Sequence, residues 1–225
     1  VAGKPWEAAA LGVNTVVTHE PTFYDHFELR NQTAHPRYEA AKAAKQQLIA
    51  ELGLTILRCH DVWDAIPEVG VPFEWGRFLG LTELVRSERY LNVYRVESQT
   101  ALSFAQYFAG KTQTAGQGTV EFYGDASRMI SSVGIGTGCC SDALALYDLG
   151  ADLAVSVDDI ARAWIVGEYC HDTGNPMIVV NHGVSEDCAM ESLCEAVRGL
   201  LPGVPVHRLR QGASYREVSA VGGSD

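Results

Sequence analysis

Three segments of this chain end an apolar run on a histidine with carboxylates close behind it. "VVTHEP" delivers His19 and Glu20, "LRCHDVWD" delivers His60, Asp61 and Asp64, and "VVNHGVSED" delivers His182, Glu186 and Asp187. Imidazole nitrogen together with carboxylate oxygen suits borderline divalent cations such as zinc, manganese or iron, whereas a set of oxygen ligands alone favours magnesium or calcium. Two cations held close together need a bridging carboxylate, which this set can supply. His182 and Glu186 stand four apart. If the chain turns into a helix at Ser185, both point back to one centre, and the acidic start Ser-Glu-Asp suits the positive end of the helix dipole.

The elements that must position these groups are read from periodicity. "PWEAAALG" has helical character up to Gly12, "VNTVVTH" is an apolar, β-branched strand, "YEAAKAAKQQLIAELG" is a helix stopped by Gly53, and "LTILRCHD" is a second strand. Residues 65–92, with Pro67, Pro72 and several aromatic residues, are expected to be a long irregular connection holding one short helix. The aromatic residues Phe73, Trp75 and Phe78 are expected to form local core there. From "LNVYRVES" the alternation resumes through "TALSFAQYFAGKT", "TVEFYGD", "SRMISSVGIGTG", "SDALALYDLG", "ADLAVSV", "VDDIARAWIVGEYCHDTG", "NPMIVVNH" and "SEDCAMESLCEAVRGLL". This order predicts an α/β fold: two lobes with α/β/α layers and mostly parallel sheets, divided into residues 1–92 and 93–225, with the C-terminal part free to pack back on the first lobe. Reactive groups gather at the carboxyl ends of strands in such sheets, so the site is expected in the cleft between the lobes. The opening residues have the character of a helix interior, which suggests that a segment is missing ahead of them; the tail "VGGSD" is expected to be disordered.

Bulk properties narrow the function. The 225 residues carry a formal charge of -11, which argues against unaided binding to nucleic acid, where affinity comes from Lys and Arg displacing counterions. The same balance favours cations. No apolar run approaches the length of a membrane span. Six cysteines without a CxxC pair are expected to be reduced thiols that fill core, in a cytoplasmic protein. "SVGIGTGCCSD" fits no nucleotide fingerprint; it is expected to be a tight strand-to-helix turn, with Ser141 or Asp142 capping the next helix.

"THEPTFY", "HDVWD" and "NHGVSED", in this order, resemble the ligand motifs of the Nif-three-like family, whose members are often described as GTP cyclohydrolase I type two homologues. "GIGTG" resembles that family's glycine-rich turn and "VGEYCH" its Gly-Glu-x-x-His segment; together the matches span residues 13 to 187. The resemblance implies His19, Asp64, His182 and Glu186 as ligands of a dinuclear centre, with Glu20 at the place of the family's second histidine. A carboxylate there adds negative charge and should favour harder cations. His60 matches the histidine ahead of the ligand aspartate. A ring-shaped hexamer is also implied.

Two divalent ions bridged by a carboxylate acidify water and polarise the bond under attack, which is hydrolytic chemistry. Glu168 and His171 are candidates for proton transfer, and His60 for an orienting group beside the ligands. A solvated helix face is the alternative for Glu168 and His171. The expected activity is therefore a metal-dependent hydrolase acting on a small polar or nucleotide-like molecule of unknown identity. The alternative is a non-enzymatic protein that uses its centre for metal delivery or partner recruitment. Sparse Lys and Arg near the motifs weigh against a phosphatase-like or nuclease-like enzyme.

Overall fold

The computed structural model describes residues 5–23, 36–213 and 215–218; the tail "VGGSD" lies outside them. The chain forms two compact units, one ending at Trp63 and the other beginning at Asp64.

In the first unit, helix α1 (Pro5–Ala10) stops at Gly12, whose φ of +71° is easy only for glycine. Strand β1 (Thr15–Thr18) follows, then helix α2 (Pro36–Glu51) and strand β2 (Thr55–Arg58). Helix α2 buries none of its residues, so its Ala, Lys, Gln and Leu content rather than an amphipathic face sustains it. Lys45 Nζ donates to the Thr22 carbonyl at 2.7 Å, which ties the helix to the segment after β1. The two strands pair in parallel with Thr18 opposite Arg58.

The second unit is built on a sheet in the order β3 (Glu83–Glu88), β4 (Leu91–Thr100), β6 (Met129–Gly136), β7 (Leu153–Val157), β8 (Met177–Val180) and β5 (Glu121–Tyr123). Strands β7 and β8 are buried along their whole length, and successive residues alternate between two cores. Val155, Val157, Ile178 and Val180 face Trp75, Phe104 and Phe108 of helices α4 (Val71–Leu79) and α5 (Ala101–Gln113). Ala154, Met177 and Val179 face Leu146 and Cys170 of α6 (Ala143–Asp148) and α7 (Glu168–Thr173). Helices therefore cover both faces, as the layered α/β expectation requires.

The expectation of mostly parallel sheets needs correction for this unit. Among its described strands only β6–β7 and β7–β8 run parallel; β3–β4, β4–β6 and β5–β8 are antiparallel. Residues 65–92 are also more regular than expected. They hold α4, stopped by Gly80 at φ +76°, and the edge strand β3, which turns back into β4 through Arg89. All six residues of β3 are exposed, so no apolar alternation betrayed it. Trp75 and Phe78 do stack as core, 5.4 Å apart. Because α4 and β3 belong with this sheet, the compact units divide between residues 63 and 64, ahead of the 92/93 boundary expected from sequence.

Asp152 fastens the start of β7 to β6. Its carboxylate accepts from the Ser131 amide at 2.8 Å, the Ser131 hydroxyl at 2.9 Å and the Ser132 amide at 3.0 Å. Burial pushes this carboxyl up, but the bonds from Ser131 and Ser132 outweigh it and hold the group below the usual carboxylate range. A depressed folded-state pKa gives stability that is present above the unfolded value, about 3.9, and lost as pH falls through the lower folded value. Asp152→Asn is therefore expected to lower stability at neutral pH and to flatten its decline below about pH 4, as read by urea denaturation across pH.

Candidate metal centre

Parallel pairing decides which side chains meet. In the first unit the ladder continues one bond past the strands, with the Cys59 amide donating to the Thr18 carbonyl at 2.8 Å. The next side chains, His19 and His60, then emerge side by side with rings stacked at 4.4 Å and 21°. Glu20 Oε1 lies 3.3 Å from His60 Nε2 and 3.8 Å from His19 Nδ1. His60 Nδ1 is 2.6 Å from Asp61 Oδ1, and this hydrogen bond holds the Asp61 carboxyl below its ordinary range. Arg58 Nε donates to the His19 carbonyl at 3.2 Å. His60 therefore stands between Asp61 and Glu20. His19 is 6% exposed. Asp64, 3% exposed, closes the short helix α3 (Asp61–Asp64) that spans the division between the units.

In the second unit the adjacent parallel strands β6, β7 and β8 end on Gly136, Val157 and Val180, and the residues just beyond them converge. The Asp158 amide donates to the Val180 carbonyl at 3.0 Å. The Asp158 carboxylate in turn accepts from Asn181 Nδ2 at 2.7 Å and from the His182 amide at 3.0 Å. Gln117 Oε1 accepts from the Asn181 amide at 3.0 Å. These bonds set the start of helix α8 (His182–Asp187) at Asn181, ahead of the Ser-Glu-Asp start expected from sequence. His182 and Glu186 then lie one turn apart on one helix face, Nε2 to Oε1 at 3.0 Å. His182 Nδ1 is 2.5 Å from Asp159 Oδ2.

This arrangement fits a cation. With the Nδ1 proton given to Asp159, Nε2 presents its lone pair to a carboxylate, and a cation shared by the two atoms turns their repulsion into joint ligation. Gly138, in the 3₁₀ turn Gly138–Cys140 after β6, supplies the clearance. A Cβ there would stand 2.5 Å from both Glu186 Oε1 and His182 Nε2, and its φ of +37° already favours glycine. The glycine-rich stretch is a tight turn, as expected, with Asp142 capping α6 by accepting from the Ala145 amide at 2.9 Å. Its place beside His182 and Glu186 was not legible in sequence.

His171 does not join this group. Helix α7 leads into the amino end of β8 while His182 follows the carboxyl end, so the length of that strand, roughly 13 Å, lies between them. Glu168 and His171 are both exposed, and His171 Nδ1 is 3.7 Å from Asp172. That is the solvated helix face weighed as their alternative. Sequence reasoning missed Asp158, Asp159, Gln117 and Cys139. The signal for the two aspartates was present, since "LAVSVDD" is one more apolar strand running into acids, but the doublet was absorbed into a predicted helix. In fact the chain becomes helical only with a π-helical turn at Ala163–Gly167. Cys139 is partly exposed and Cys140 exposed, which corrects their expected burial as core; among the described residues no disulfide joins the cysteines.

A layered α/β fold carrying grouped imidazoles, carboxylates and a thiol at strand ends defines a protein with candidate metal-binding clusters. The profile of Duf34/NIF3 (NGG1p interacting factor 3) matches residues 6–211, and the chain belongs to that family. The fold is similar to that of a Bacillus cereus protein related to NIF3, with a TM-score of 0.70 and 13% identity over 94% of this chain and 85% of that one. Staphylococcus aureus protein SA1388 gives 0.62 at 17% identity over 86% and 74%. The Thermus thermophilus protein TTHA1606 gives 0.60 at 16% over 86% and 73%. No curated protein matches the chain. Among the described residues no helix is long and apolar enough to cross a membrane.

Gly138→Ala is expected to force Glu186 and His182 apart and to weaken manganese or zinc binding by about tenfold or more. Gly110→Ala, where an added Cβ meets nothing within 4 Å, is the control and should leave the affinity unchanged. Isothermal titration of both variants checks this.

Proposed function

We propose that this protein is a metal-dependent hydrolase of a small polar or nucleotide-like molecule, with His19, Glu20, Asp64, His182 and Glu186 holding two divalent cations. The observation that carries this reading is the His182–Glu186 pair, oriented by Asp159 and cleared by Gly138. Membership of the NIF3 family supports it. A bound pair of divalent ions supplies Lewis acidity and acidifies water near neutral pH.

The residues of this chain do the positioning. Asp158 fixes the backbone of His182 and Asp159 fixes its ring, while His60 holds the Glu20 carboxylate. A carboxylate at position 20 makes the donor set more anionic than a paired imidazole would, which favours manganese or iron over softer ions. A cavity of about 580 Å³ in the second unit has the size of a small-molecule site. Val184 and Asp187, from the helix that carries His182 and Glu186, line it together with Arg77, Arg208 and Arg210. Arg77 is paired with Glu74 and Arg208 with Asp187 and Glu191, so the lining is of mixed charge and suits a polar substrate. A homo-oligomer is part of the same proposal.

The His182→Ala, Glu186→Ala double variant is expected to lose most of its bound metal by elemental analysis while keeping its far-ultraviolet circular dichroism. Unchanged stoichiometry removes the proposal. Metal-loaded wild-type protein screened against nucleotides, phosphate esters and cyclic amides should turn over one class. Full metal loading without turnover would favour a role in metal delivery or partner recruitment.

A further inference from the structure

Beyond the ligands assigned above, the second unit carries another set of donors on the opposite side of the same imidazole. Cys139 Sγ lies 3.9 Å from His182 Nδ1 and 3.8 Å from Asp159 Oδ2, with His182 Nδ1 and Asp159 Oδ2 2.5 Å apart. Each of these residues comes from the first few positions after one of the adjacent parallel strands β6, β7 and β8. Orienting the ring needs only the Asp159 carboxylate. The thiol has no such task, yet it completes a triangle of sulfur, nitrogen and oxygen donors.

We propose that Cys139, Asp159 and His182 Nδ1 form a second cation site, selective for thiophilic divalent ions such as zinc or cobalt. Ideal tetrahedral ligation with zinc–sulfur near 2.3 Å and zinc–nitrogen or zinc–oxygen near 2.1 Å sets edges of about 3.6 Å from sulfur to nitrogen or oxygen and about 3.4 Å from nitrogen to oxygen. The two edges to Cys139 already lie close to the first value. Only the Asp159–His182 edge must open, by just under 1 Å, and Asp159 is 57% exposed and free to swing. Thiolate and carboxylate together neutralise a divalent ion, and the fourth position is left to solvent.

Binding releases the Cys139 thiol proton, and the Nδ1 proton of His182 moves to Nε2 or to solvent. A neutral imidazole offers one lone pair, so ligation through Nδ1 withdraws His182 from Glu186. The two sites therefore compete for one ring: a hard ion is favoured on the Glu186 side and a thiophilic ion on the Cys139 side. The thiolate site shares His182 with the proposed hydrolytic centre but needs neither Glu186 nor any ligand from the first unit, so it can stand or fall separately.

Cobalt(II) titration of the full chain under reducing conditions reads the thiolate directly, through its near-ultraviolet sulfur-to-cobalt charge-transfer band. The wild type should develop the band as cobalt is added to excess. Glu186→Ala should keep it, and should bind cobalt more tightly because competition for the ring is gone. Cys139→Ser should lose it, while Cys140→Ser should retain it. No band in the wild type, or a band that survives Cys139→Ser, overturns the proposal. Loss of the band in Glu186→Ala with circular dichroism unchanged also overturns it, because the thiol would then be no more than an adjunct of the Glu186 centre.

Discussion

The parallel strand ladder is the constraint on which the rest depends. Each backbone N–H and C=O in β7 and β8 must find a partner once both faces of the sheet are buried, and register then fixes where neighbouring strands stop. Asp158 and Asn181 fall at one level because the Asp158 amide donates to the Val180 carbonyl. The Asp158 carboxylate then takes both Asn181 and the His182 amide, so the ladder passes directly into the helix that carries the imidazole and Glu186. The first unit repeats the device on a smaller scale, where Thr18 opposite Arg58 leaves His19 stacked on His60.

Much of this was legible in the sequence because burial leaves a pattern. Strand β8, buried along its length, reads as an unbroken apolar run that ends just ahead of His182, and the short β-branched runs of the half-exposed β1 and largely exposed β2 mark His19 and His60 in the same way. The helix after β1 was visible from propensity alone. What stayed hidden had no such pattern. Strand β3 is exposed along its length and carries charges where an alternating strand would carry apolar residues. Asp158 and Asp159 fell at the head of a segment whose helical composition masked the irregular stretch before the π-helical start. Gly138 and Cys139 could not be placed from spacing, since the turn that brings them to His182 is set by the order of β6, β7 and β8 rather than by local sequence. The antiparallel outer strands were equally invisible, because pairing direction is a property of connections.

Charge follows the same architecture. The chain carries a formal charge of -11, and several of its acids sit at strand ends beside imidazoles rather than dispersed over the surface. Carboxylates this close to one another repel unless a proton or a cation lies between them. Glu186, 5% exposed and 3.0 Å from a ring nitrogen, is the sharpest case. Asp158, Asp159 and Gly138 are the means by which His182 is held beside Glu186.

The central claim of the proposed function is that His182 and Glu186 together ligate a divalent cation. Crystals soaked in manganese and measured near the manganese absorption edge test it through an anomalous difference map. A peak is predicted within ligating distance of both His182 Nε2 and Glu186 Oε1. A map without a peak at that pair would contradict the account.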